Sequence, residues 1–254
     1  MRFRLILVTL LTAAALGTSV LTQTTPVVRG INGSWEAYPL RGEGFGSGVP
    51  PRVPVAAPAP IPEPPLKQPY LDQWRTAQAR SAELTRKGLP PVSSGMACIP
   101  EGMPAMMQAT FPMEILETPG QVTIIQEAYN QVRRVHLGVP AIAPQDAEPR
   151  FAGHSTGSWE ANTLVVETVG VKESVRFRNT PHSMQLRIRE RFRLVNDEML
   201  ESQVTVEDPE YLVKPWTWTW MYKRWPGYRI EEYVCEDNRY FEDPTLKYQR
   251  LRVN

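Results

Sequence analysis

The chain has 254 residues, 42% of them hydrophobic and 22% charged, and 28 lysines and arginines nearly balance 27 aspartates and glutamates. A formal charge of +1 removes the main electrostatic argument for nucleic-acid binding, which needs a strongly basic domain or stripe. The length allows one large domain or two small ones, and either can bury a core.

Arg2 and Arg4 precede an apolar run from Leu5 to Leu16, and small residues follow at Gly17, Thr18 and Ser19. That order predicts a secretory signal peptide over residues 1–22, with the cleavage point open between Gly17 and the later Val20 and Thr22. The run is shorter than the roughly 20 residues of a membrane span. No later stretch is long and apolar enough to be one, so the mature protein is expected to be soluble and periplasmic or secreted.

Residues 23–48 form an N-terminal segment with one aromatic anchor, Gly33-Ser34-Trp35-Glu36, which is expected to dock as a short edge strand. Over residues 49–69 prolines recur from Pro50 to Pro69. Proline fixes φ and supplies no N–H, so this stretch is expected as a polyproline II strap or linker. Residues 70–88 predict a helix, because Leu71, Trp74, Ala77, Ser81 and Leu84 share one face. Asp72 lies in its first turn, Arg86 and Lys87 in its last, and Gly88 and Pro90 end it.

Residues 89–254 are read as one antiparallel β domain. From Met113 the pattern has period two, giving runs at 113–118, 121–127, 132–137, 154–160, 163–169, 184–195, 199–207, 216–223 and 228–235. Tight turns between them point to a meander, and a sheet of this size curls to remove its edges. The fold expected is mainly β: an antiparallel up-and-down barrel, lipocalin-like in outline, with one N-terminal helix; a two-sheet sandwich is the alternative. Two cysteines, Cys98 and Cys235, are expected to pair in an oxidising compartment and to tie the entry of this domain to its last strands.

In the 184–195 run Met184, Leu186, Ile188, Phe192 and Leu194 alternate with Gln185, Arg187, Arg189, Arg191 and Arg193. A turn at Asn196, Asp197 and Glu198 would pair Val195 with Met199, Arg193 with Glu201 and Arg187 with Glu207, so the arginines read as a salted exterior. The same register puts Glu190 inside, opposite Val204 and near Ser202, with Asp208 farther along that side. An inward carboxylate must be matched by a cation, be neutral, or face a wet cavity. Both readings stay open: a structural ion pair with an arginine, or a cavity acid. Trp216, Trp218, Trp220 and Tyr222 share one face of the next run, as core or as the wall of a ligand pocket.

Several strings now stand in order. They include Cys98-Ile99-Pro100-Glu101-Gly102-Met103-Pro104, Gly153-His154-Ser155-Thr156-Gly157-Ser158-Trp159-Glu160, Thr163-Leu164-Val165-Val166-Glu167-Thr168, Pro181-His182-Ser183 and Glu232-Tyr233-Val234-Cys235. From about Trp35 to Asn238 the chain resembles a family of exported bacterial proteins with a Gly-His-Ser…Trp-Glu-Gly-Asp-Thr-Leu-Val-Val pattern. It departs from that pattern at Ala161-Asn162 and at Leu137-Gly138-Val139. The resemblance implies a secreted or periplasmic β-rich domain and carries no established reaction.

Of three histidines, two precede serine, at His154-Ser155 and His182-Ser183. Either could act as base, with Glu190 as acid or orienting group. Gly153-His154-Ser155-Thr156-Gly157 lacks the central serine of a nucleophile elbow, and no metal-ligand spacing or phosphate loop occurs, so no metal or cofactor is expected. The leading expectation is an exported barrel binding a small organic or carbohydrate ligand against Trp216, Trp218, Trp220 and Tyr222, with Ser202 and Asp208 nearby. Its His154, His182 and Glu190 would then make it a lyase, isomerase or hydrolase. The alternatives are a non-catalytic carrier with the same pocket and a protein-interaction module built on the strap. The partner expected is a small molecule, with no nucleic acid and no membrane span.

Overall fold

The computed structural model describes residues 30–40, 46–88 and 98–235, and the backbone of 240–243 and 248–251. The signal-peptide reading of residues 1–22 lies outside the described residues. Nine strands and a helix fall where side-chain period and turn signals meet, with two further strands near the C-terminus: β1 (Gly33–Tyr38), α1 (Tyr70–Arg86), β2 (Met113–Thr118), β3 (Gln121–Gln126), β4 (Gln131–Leu137), β5 (His154–Glu160), β6 (Thr163–Val169), β7 (Arg187–Asn196), β8 (Met199–Glu207), β9 (Trp216–Arg224), β10 (Tyr240–Asp243) and β11 (Tyr248–Leu251). Strands β1 to β9 close into one barrel, and β10 pairs with β11 apart from it. Closure excludes the sandwich.

The strand run expected at 228–235 does not form. Pro226-Gly227, with Gly227 at a φ of 79°, turns the chain out of β9, and Tyr228 and Glu231 instead donate to the Glu127 carboxylate at 2.5 and 3.0 Å. Its place in the barrel is taken by Gly33–Tyr38, which is no edge strand: β1 lies between β2 and β9 and hydrogen-bonds to both. Strict up-and-down order also fails at one interface. Each antiparallel interface reverses strand direction, so a closed ring needs an even number of them. Nine strands therefore require at least one parallel contact, and β4 with β5 supplies it, joined by the long connection 138–153.

The β7–β8 register pairs Arg193 with Glu201, Glu190 with Val204 and Arg187 with Glu207, as the alternation predicts. At the turn the expectation is corrected, since Met199 pairs with Asn196 across a bulge that leaves Val195 out. The arginines hold carboxylates along the exterior: Arg187 and Arg189 share Glu167 at 2.8 and 3.0 Å, Arg191 holds Glu160 at 2.9 Å, and Arg193 holds Glu201 at 2.7 Å.

Residues 46–66 run across the outside of the barrel. Ser47 donates from its N–H and its hydroxyl to Glu36, both at 2.5 Å, and Glu36 pairs with Lys223 at 3.1 Å beneath it. Farther on, Arg52 holds Glu198 at 2.6 Å, the Tyr38 hydroxyl donates to the Val55 carbonyl at 2.7 Å, and the Trp216 indole to the Pro62 carbonyl at 3.0 Å. The prolines leave these carbonyls as acceptors without adding donors that would need partners.

Helix α1 stops where Gly88 takes a φ of 70°. It buries no residue, and it meets the barrel through Trp74 and Gln78, both of which donate to the Arg178 carbonyl, at 2.8 and 3.0 Å. Among the described residues no helix is long and apolar enough to cross a membrane.

At the end of the barrel where β5, β7 and β9 begin, here called the mouth, residues 98–112 fold inward and bury Met103, Met106 and Met107. Gly102 makes this possible. Its φ is 69°, and a Cβ there would stand 2.5 Å from the Phe151 carbonyl oxygen. The segment is anchored by the expected disulfide, Cys98–Cys235, with Cα atoms 5.7 Å apart at a sequence separation of 137. Replacing both cysteines by serine should cost about 2–5 kcal/mol, read as a lower denaturation midpoint with the β spectrum kept below it; an unchanged midpoint would show that the mouth holds without the bond.

Candidate functional site

Glu190 lies inside the barrel with 0% of its side chain exposed, and Arg133 of β4 lies against it with 1% exposed. Two guanidinium nitrogens reach the two carboxylate oxygens, Arg133 Nη1 to Oε1 at 3.2 Å and Nη2 to Oε2. The same guanidinium donates from Nε to Ser155 Oγ at 3.0 Å and from Nη2 to Thr168 Oγ1 at 2.9 Å, and those two hydroxyls bond to each other at 2.8 Å. Four strands, β4 to β7, thus meet in one polar crossbar. Burying two charges is costly, and a bidentate pair with further guanidinium protons bonded to hydroxyls is an arrangement that offsets much of it. Glu190 is therefore held as the structural partner of an arginine, in a packed interior.

The aromatic column of β9 stands inside as well. Trp216, Trp218 and Trp220 are buried, and Phe177 packs on all three with ring centroids 5.7, 5.2 and 5.8 Å away. Tyr222 is fully buried and donates to the Met107 carbonyl at 2.6 Å. Burial first, then the Glu190 carboxylate, push its phenol well above the ordinary value, while Arg133 pulls it down. Ser202 Oγ is buried on β8 without a partner. These residues fill the barrel with protein, so the expected ligand wall inside it is core.

Three of the expected site residues do meet, at the mouth. His182, Asp208 and Trp216 line one small pocket with Thr180, Phe177 and Met103. Its free volume is about 20 Å³, room for roughly one water-sized group. Asp208 is buried and fully used: its Oδ1 accepts from Ser183 Oγ at 3.0 Å, Glu210 N at 2.9 Å and Tyr211 N at 3.3 Å, and its Oδ2 from Ser183 N at 2.6 Å. That grip fixes the His182-Ser183 backbone. The Ser183 carbonyl lies 3.0 Å from His182 Nδ1, and a carbonyl only accepts, so Nδ1 carries the proton. Nε2, the other ring nitrogen, has no partner although His182 is only 8% exposed. Thr180 Oγ1, on a residue 7% exposed, is unpartnered too.

His154 stands elsewhere. It lies on the outer face of β5, opposite in parity to the inward Ser155, and its Nε2 donates to the Glu148 carbonyl at 2.8 Å. Among the described residues no group of three His, Cys, Asp or Glu side chains could hold a metal ion. Arg133, Phe177 and Thr180 escaped the sequence reading. Only Arg133 had a signal there, its shared parity with the apolar Val135 and Leu137 of β4. No family model matches the chain, and no curated protein matches it.

Arg133→Met, which strands the Glu190 charge, should lower unfolding stability by about 3–5 kcal/mol. The double variant Arg133→Met/Glu190→Leu should recover most of that loss in the same denaturant titration. A single variant as stable as the parent, or a double variant no better than the single, would contradict the crossbar.

Proposed function

We propose that the protein is an exported, non-catalytic binding barrel that holds a small, largely apolar organic molecule at its mouth, where a hydrogen-bond donor of the ligand meets His182 Nε2. The observation that carries this reading is the buried, unpartnered Nε2 among apolar walls, next to a second unpartnered group at Thr180. Binding sites of this kind combine a hydrophobic lining with few polar groups, and those groups set orientation. The apolar lining favours a small organic ligand over a carbohydrate. Strand closure is shared with ligand-holding barrels, but in this reading the ligand sits at the rim instead of in a cup. Export rests on the N-terminal pattern, the family likeness and the disulfide, a bond that persists in oxidising compartments.

The acid–base reading shares the same nitrogen, since an unprotonated imidazole is what a general base needs. It lacks an acid: Glu190 is bound to Arg133, and each oxygen of Asp208 already accepts. The interaction-module reading loses its support where the strap's carbonyls are taken up by the barrel itself.

A calorimetric screen of small apolar alcohols, phenols and amines against the full mature chain tests this. Hits should lose about tenfold in affinity in His182→Ala, the value of one hydrogen bond left unmade, and less in Thr180→Val. Hits indifferent to His182→Ala would remove the reading.

A further inference from the structure

Phe177 sits between two spaces. It lines the mouth pocket on one side and, on the other, an open groove of about 800 Å³ between α1 and the mouth loops. Its ring is 5% exposed and stacks on Trp218 at 5.2 Å with planes 26° apart. The Trp218 Nε1–H behind it is buried and has no acceptor. Yet the backbone that delivers this ring is poorly suited to permanence. Thr180 N bonds the Phe177 carbonyl at 2.9 Å, closing a turn whose two middle residues, Arg178 and Asn179, have φ of 52° and 60°. Left-handed backbone costs an arginine more than an asparagine. What holds the turn outside is the pair of bonds from Trp74 and Gln78 to the Arg178 carbonyl, made by a helix that buries nothing.

The groove has a sign. Arg80, Arg176 and Arg178 line it with Glu101, and the three arginines hold no carboxylate among the described residues, whereas every arginine of the β7 stripe holds one. Apolar side chains, Leu84, Phe151 and Val175, make up much of the remaining wall.

We infer that Phe177 is a built-in plug occupying the ring seat of an aromatic carboxylate bearing a phenolic hydroxyl, a ligand that enters from the groove. The inference rests on the mouth-binding reading and names its ligand class. Exchanging one phenyl ring for another keeps the burial and the stacking on the tryptophans nearly constant. The difference then comes from groups Phe177 lacks: a hydroxyl that donates to His182 Nε2, and a carboxylate that meets the groove arginines as charge-assisted hydrogen bonds. Swinging the turn outward merges pocket and groove, which gives the ligand a path and a volume the closed pocket does not offer.

The test is calorimetric titration of the full mature chain with 4-hydroxybenzoate, with benzoate and 4-hydroxybenzamide as controls for the hydroxyl and the charge. Phe177→Ala should bind 4-hydroxybenzoate about tenfold tighter, because the closed state no longer competes. Trp74→Phe, which keeps a ring on the exposed helix and deletes one clip, should also tighten binding, without endangering the fold. Arg176→Gln/Arg178→Gln should weaken it about tenfold, and both control compounds should bind the parent at least about tenfold more weakly. Equal affinity of 4-hydroxybenzoate for the parent, Phe177→Ala and Trp74→Phe overturns the plug, as does equal affinity of the parent for all three compounds. Binding that falls in His182→Ala yet ignores Phe177→Ala overturns the plug alone and leaves the mouth site standing. Binding that ignores both removes both.

Discussion

One buried contact, the fork between the Arg133 guanidinium and the Glu190 carboxylate, sets what this barrel can do. Both groups are out of water, so each must find its partners within the protein, and the hydroxyls of Ser155 and Thr168 add two more acceptors to the guanidinium. A barrel of similar strand number can keep a cup for a small ligand. Here the middle of the cup is crossed by a fixed pair, with Tyr222 and the tryptophan column packed against the remaining space. The binding site proposed for it lies at the rim for that reason.

Strand parity supports the same crossbar. With nine strands the ring cannot alternate throughout, and the parallel step falls between β4 and β5. There Val135 partners Ser155, which sets the Ser155 hydroxyl within reach of the Arg133 Nε. The long connection this step demands, 138–153, ends at the mouth, where the Phe151 carbonyl accepts from Met103 N at 2.9 Å and seats the methionine stopper. Ring closure and mouth sealing are two outcomes of one topological requirement.

Much of the barrel could be read from alternation. Burial alternates along most of β6 and β8, and the bounds of β5, β6 and β8 agree with the expected ones to the residue. The inward place of Glu190 followed from its even parity with Ile188 and Phe192. Its partner was harder, because β4 carries arginine in both parities, at 133 and 134, and one strand viewed alone does not say which face is inside. The closing strand Gly33–Tyr38 lies far from the β domain in sequence, and its six residues carry too short a pattern to reveal two neighbours. The stretch 228–235 alternates like a strand, but the aromatic contacts of Tyr233 with Phe111 and Tyr129 and the bond from Cys235 draw it along the mouth instead. At the site, His182 and Asp208 stood out as residue types, while their relation through Ser183 is made by tertiary structure. Phe177 and Thr180 sit in a loop where nothing in the residue pattern separates them from solvent-facing neighbours.

Binding at the mouth, as proposed, depends on the unpartnered His182 Nε2 while the barrel interior stays shut. A long-range ¹H–¹⁵N spectrum of protein labelled at its three histidines, recorded at neutral pH with and without a bound phenolic acid, measures this atom directly. The Nδ1 contact with the Ser183 carbonyl places a proton on Nδ1, and the Nε2 signal alone should shift strongly on binding. An Nε2 that carries the proton, or that ignores the added compound while signals from the barrel interior move, would contradict it.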